Sequence, residues 1–108
     1  MSETKTTIKD APDIMVIFRC NWSHKFIEYM KNRMIQGYFR YGSMKENEPG
    51  LLDCIGSIER RVELYKQTGN DEILVDIANI AMAEFVNGCH PKKHFESVDD
   101  GYHTNERR

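Results

Sequence analysis

The chain has 108 residues, 40% hydrophobic and 30% charged, with a net charge of −2. That composition suits one globular domain, and a chain of this length buries only about two-thirds of its unfolded surface, so a partner subunit would add useful core. The basic residues fall in scattered pairs (Arg60 with Arg61, Lys92 with Lys93, Arg107 with Arg108) and form no stripe, which argues against duplex nucleic acid as a partner.

Residues 1–13 are polar, lack the apolar stretch of a secretion signal, and read as a flexible lead-in. The longest apolar run, residues 14–18, is far too short to span a bilayer, so no membrane association is expected. Three widely spaced cysteines, Cys20, Cys54 and Cys89, are odd in number. They fit reduced thiols in a cytoplasmic setting better than a disulfide framework, with Cys54 acting as a small buried hydrophobe.

The run 14–18 (Ile-Met-Val-Ile-Phe) is β-prone. It reads as a short strand, an extended arm or a first helical turn, and the sequence leaves these open. A helix starts near Asn21 or Ser23, either of which suits a cap. Trp22, Phe26, Tyr29, Met30 and Met34 then recur at helical spacing, and Gly42 ends the helix. Residues 42–48 form a loop.

The next helix is expected at 49–67. Asn47 suits its cap and Pro49 its first turn, and Leu51 and Leu52 open its apolar face. Ile55, Ile58, Val62 and Tyr65 follow at seam spacing. Gly69 and Asn70 break the chain, and a helix Asp71–Asn87 follows, with Ile73, Leu74, Ile77, Ile80, Ala81 and Phe85 as its buried stripe. A connection of about three residues makes the pair an antiparallel hairpin. The expected fold is all-α: this hairpin plus an N-terminal helix within a domain 14–88, the bundle completed by dimerisation. Residues 89–108 form an irregular tail held by Phe95 or Val98.

Three groups of residues carry possible chemistry. Glu59 and Glu63 share one flank of the first hairpin helix, and Glu72, Asp76 and Asn79 share one flank of the second. Converging carboxylates bind a hard cation such as Mg²⁺, which holds phosphates and activates water, whereas the alternative is an ordinary solvated flank. Asp76 differs from the others: it sits at the edge of the buried stripe, where a carboxylate needs a partner. Cys89, His90, His94 and His103 are zinc-ligand types, but they lack ligand spacing. Of the aromatics, Trp22 and Phe26 suit core, and Tyr41 beside Gly42 suits the wall of a base pocket.

The run Asp76-Ile77-Ala78-Asn79-Ile80-Ala81-Met82, following Gly69-Asn70, resembles a segment of the MazG-like all-α nucleotide pyrophosphohydrolases. Tyr41-Gly42-Ser43, then a helix with Glu59 and Glu63, extends the likeness over residues 38–87, and the tail resembles that of small phage-encoded proteins. The resemblance implies Mg²⁺-dependent hydrolysis of a nucleoside triphosphate to monophosphate and pyrophosphate by a dimer or tetramer. Glu63 and Asp76 would be catalytic, Glu59, Glu63, Glu72 and Asp76 the metal ligands, and Tyr41 (or Phe39), Lys66 and Asn79 nucleotide contacts. The chain departs from the family pattern at three of four acidic positions, which fall on Arg61, Leu64 and Ile73. That departure supports the alternative: a non-catalytic helical dimer, with Ile55, Ile58, Val62 and Tyr65 at its seam, binding a nucleotide or a host protein as a phage-encoded modulator of host defence would.

Overall fold

The computed structural model describes residues 13–98 and is helical, with no strand among the described residues. Helix α1 spans Ile14–Asn21, α2 His24–Tyr41, α3 Cys54–Thr68 and α4 Asp71–Asn87, and a short 3₁₀ turn covers Met44–Glu46. The run 14–18 is thus helix rather than strand or extended arm. Asp13 explains why: its Oδ1 accepts from Met15 N at 3.0 Å and satisfies a first-turn donor that β-prone side chains alone would leave free. The predicted lead-in, apart from Asp13, and the end of the tail beyond residue 98 lie outside the described residues.

Helix α2 begins where its cap dictates, with Ser23 Oγ accepting from Phe26 N at 3.0 Å, and closes at Gly42. Helix α3 is shorter than expected, starting at Cys54 rather than at 49. Gly50 adopts φ +78°, which no right-handed helix passes through, and its N–H is committed to Asn87 O at 3.2 Å. Asp53 then supplies the cap, its Oδ1 accepting from Gly56 N at 3.0 Å. Leu51 and Leu52 precede the helix and are exposed. Gly69 ends α3 in the left-handed conformation (φ +66°), and Asn70 caps α4 by accepting from Glu72 N at 3.1 Å.

Helix α4 is the centre of the bundle. It packs on α3, on α2 and on the 3₁₀ turn, while α1 packs along none of the other helices. Contact on two sides explains why the predicted single stripe on α4 is only partly right. Ile73 and Val75 are buried, Ile77 and Ile80 half-buried, and Leu74, Ala81 and Phe85 exposed. On α3 the seam splits: Ile58 and Tyr65 are half-buried, whereas Ile55 (52% exposed) and Val62 (39%) are open to solvent. Only Cys54, Ile73 and Val75 among the described residues are buried, a thin core even for this size.

The loop before α3 is pinned to the far end of α4 by Asn87 Nδ2 donating to Asn47 O at 2.9 Å. After α4 the chain carries no further helix through residue 98. Lys93 Nζ donates to the terminal α4 carbonyls of Phe85 (2.9 Å) and Glu84 (3.3 Å), the favourable place for a cation at a helix C-terminus. Phe95 meets Phe85 edge to face at 6.4 Å yet stays 90% exposed, and Val98 is also exposed, so Lys93, more than either apolar residue, holds the tail.

Candidate functional site

Asp76 projects from α4 into the space between α2 and α3, where two arginines reach it. From α2, Arg33 Nε and Nη2 each lie 3.3 Å from Asp76 Oδ1. The same guanidinium donates through Nη1 to Glu72 Oε2 at 3.1 Å, one turn earlier on α4. From α3, Arg61 Nε lies 4.0 Å from Asp76 Oδ2, and Arg61 Nη1 is anchored to Ser57 Oγ and to Ser57 O at 3.4 Å. One carboxylate therefore ties three helices together. Such partly exposed charge pairs contribute modestly one by one, and more when arranged as a network.

Asn79, one turn beyond Asp76, adds a polar tie between helices. Its Nδ2 donates to Met30 O on α2 at 3.1 Å, while its buried Oδ1 finds no hydrogen-bond partner among the described residues. The amide is thus oriented by α2 backbone.

The carboxylates expected to bind metal do not assemble: among the described residues no group of three or more His, Cys, Asp or Glu side chains could hold a metal ion. Glu72 and Asp76 share Arg33. Glu63 instead pairs on its own helix with Lys66 (3.2 Å), both side chains about two-thirds exposed, and Glu59 is exposed. The expected nucleotide contacts are engaged locally or exposed. Lys66 is held by Glu63, Asn79 by Met30, and Tyr41 and Phe39 are exposed at the end of α2. The residues present therefore do not fit Mg²⁺ as the sequence grouped them. The zinc candidates make local bonds only: His90 Nδ1 accepts from Lys92 N at 2.9 Å, and His94 Nδ1 lies 2.7 Å from Lys92 O. His103 lies outside the described residues.

Neither Arg33 nor Arg61 was among the residues that the spacing of the sequence marked for the site. The requirement that Asp76 find a partner was visible, and Arg33 sits among the α2 stripe residues Met30 and Met34. Asking which cation lies on the inward side of each neighbouring helix would have found both.

Beside this cluster an open groove of about 780 Å³ runs between α2 and the first turns of α4. Phe26, Tyr29, Leu74 and Val75 supply apolar wall, Lys25 and Arg33 basic groups, and Asp71 and Glu72 acidic ones. Of the predicted site residues, Glu72 lines it. A second, far smaller recess holds Cys54 and Glu84. Burial, reinforced by the charges of Glu84 and Asp53 and a hydrogen bond with Glu84, pushes the Cys54 thiol above its ordinary range. Cys54 is therefore a protonated, unreactive thiol at neutral pH, whereas Cys20 and Cys89 are exposed. Iodoacetamide at pH 7.5, followed by mass spectrometry, is expected to label Cys20 and Cys89 in the folded chain and Cys54 only after denaturation. The raised value favours the folded state fully below the unfolded thiol pKa, and this contribution is lost as pH rises from there through the folded value. Stability should accordingly decline above about pH 8.5 less steeply in Cys54→Ala than in the parent.

No described helix is long and apolar enough to cross a membrane. No family model, no curated protein and no solved structure matches the chain.

Proposed function

We propose that the chain is a non-catalytic helical module, its α3–α4 pair forming an antiparallel hairpin of MazG-like layout, that self-associates and binds a partner through its open faces. The observation that carries this reading is the double arginine engagement of Asp76. A metal-dependent pyrophosphohydrolase needs the Asp76 carboxylate free for Mg²⁺. Here Arg33 and Arg61 supply the positive charge instead, and Arg61 stands at a position where the family pattern carries an acid. A guanidinium neutralises carboxylates but activates no water, so the site retains an electrostatic tie without the hydrolytic chemistry. The exposed Ile55 and Val62 on α3 and the groove beside α2 are surfaces of the kind that binding partners cover.

Incubation with a panel of nucleoside triphosphates and Mg²⁺ is expected to release no pyrophosphate, and light scattering at micromolar concentration to give a mass above that of one chain. Pyrophosphate release that disappears in Asp76→Asn would overturn the non-catalytic reading and restore the hydrolase. A strictly monomeric mass would remove self-association.

A further inference from the structure

Helix α1 is a short rod with no buried residue. Ile14, Met15, Val16, Ile17, Phe18 and the following Trp22 are between 36% and 63% exposed. Water-exposed apolar side chains crowded onto eight helical residues are costly to leave uncovered. The same chain leaves an uncovered groove of about 780 Å³, walled by Phe26, Tyr29, Leu74 and Val75.

We propose that α1 of a second copy fills this groove, and that the exchange is reciprocal. The inference rests on the self-associating module above and names how it associates. Three observations select a second copy over other occupants. First, the connection to α2 is only Trp22 and Ser23, both extended (φ −130°, ψ 143° and φ −121°, ψ 107°), and α1 does not pack back along α2. A short extended hinge of this kind presents an element to another protomer. Second, charges match end to end. The groove carries Lys25 near the start of α2 and, at the start of α4, Asp71 beside a Glu72 already paired with the groove-lining Arg33. Helix α1 carries Asp13 before its first turn and Arg19 in its last. An incoming helix with Asp13 toward Lys25 and Arg19 toward Asp71 matches charge at both ends, with Glu72 left to Arg33. Third, the area suffices: residues 14–18 ring the helix, so about half of the roughly 600 Å² that they and Trp22 present enters one groove, and two exchanged helices with the walls they cover come to roughly 1,200 Å², the lower end for a stable interface. The twofold arrangement makes each groove complete only when the partner's helix is present.

The test joins a hydrodynamic and a covalent readout. By light scattering, the parent chain should be dimeric, Ile17→Asp monomeric with unchanged helical circular dichroism, and Val62→Asp, on the α3 outer face, still dimeric. In a Cys89→Ser background, Asn32→Cys places a thiol on the groove wall opposite the native Cys20 of an inserted α1. Mild oxidation should then yield a covalent dimer whose linked peptides contain Cys20 and the introduced cysteine. A dimer that survives Ile17→Asp but dissociates with Val62→Asp would overturn the exchange and leave the self-associating module standing on its α3 face. A Cys20 cross-link within one chain would show α1 closing its own groove and would equally overturn it, as would the absence of any cross-link to Cys20. A monomeric parent would overturn both the exchange and the self-association.

Discussion

Asp76→Asn is expected to lower the melting temperature by roughly 5–15 °C, equivalent to about 1–2 kcal/mol for a domain of this size. The substitution keeps the shape of the side chain and removes the charge that Arg33 and Arg61 share. It leaves two guanidiniums on neighbouring helices with Glu72 as the remaining carboxylate of the cluster. The size is set by exposure: the Asp76 side chain is 23% exposed but Arg33 is 41%, so water recovers part of the lost interaction. The direction is the more decisive part. In a metal site without its metal, crowded carboxylates repel, and deleting one stabilises the protein. In an arginine clamp, deleting the carboxylate destabilises it. Thermal unfolding of Asp76→Asn in the presence of a chelator, followed by circular dichroism, separates the two by sign alone. Arg33→Ala should reproduce most of the loss, and its effect should be less than additive with that of Asp76→Asn because the two groups act through one contact.

Val75→Asp should have the largest effect on folding. Val75 is 4% exposed, the most buried of the three core residues. A carboxylate placed there finds Arg33 already committed to Asp76 and Glu72 and loses the burial of an apolar side chain, together several kcal/mol. Small domains hold only about 5–15 kcal/mol in total, so the variant should lose its cooperative thermal transition. Met82→Asp, at an exposed position of the same helix that does not line the groove, should unfold cooperatively near the parent temperature. Equal loss in both variants would place the core elsewhere on α4.

The helices were legible to the extent that local chemistry writes them. Ser23, Gly42, Gly69 and Asn70 mark ends that a cap or a left-handed glycine fixes within a few residues, and the observed boundaries of α2 and α4 follow them. The start of α3 was misplaced because Pro49 and two leucines read locally as a helix opening. The Gly50 conformation answers instead to a distant partner, Asn87 O. Helix α1 was ambiguous because β-branched residues favour a strand, while the Asp13 cap decides for helix. The burial pattern of α4 was half right because amphipathic periodicity assumes one buried face, and a central helix has two. The candidate site was least legible. That Asp76 needs a partner follows from its place beside apolar residues. That the partners are Arg33 and Arg61, rather than a cation shared with Glu59 and Glu63, depends on how three helices are rotated against one another, which spacing along one chain does not encode.

Arginine, not a metal ion, neutralises the Asp76 carboxylate in the proposed module. The most direct test is a Mg²⁺ titration to millimolar concentration, followed by nuclear magnetic resonance of the Asp76 side-chain carboxyl carbon and the Arg33 Nε–H. Neither signal is expected to show a saturable shift, because Arg33 Nε stays on Asp76 Oδ1. A saturating shift of the Asp76 carboxyl, with a simultaneous shift of the Arg33 Nε–H, would show Mg²⁺ displacing the guanidinium and would overturn the arginine clamp.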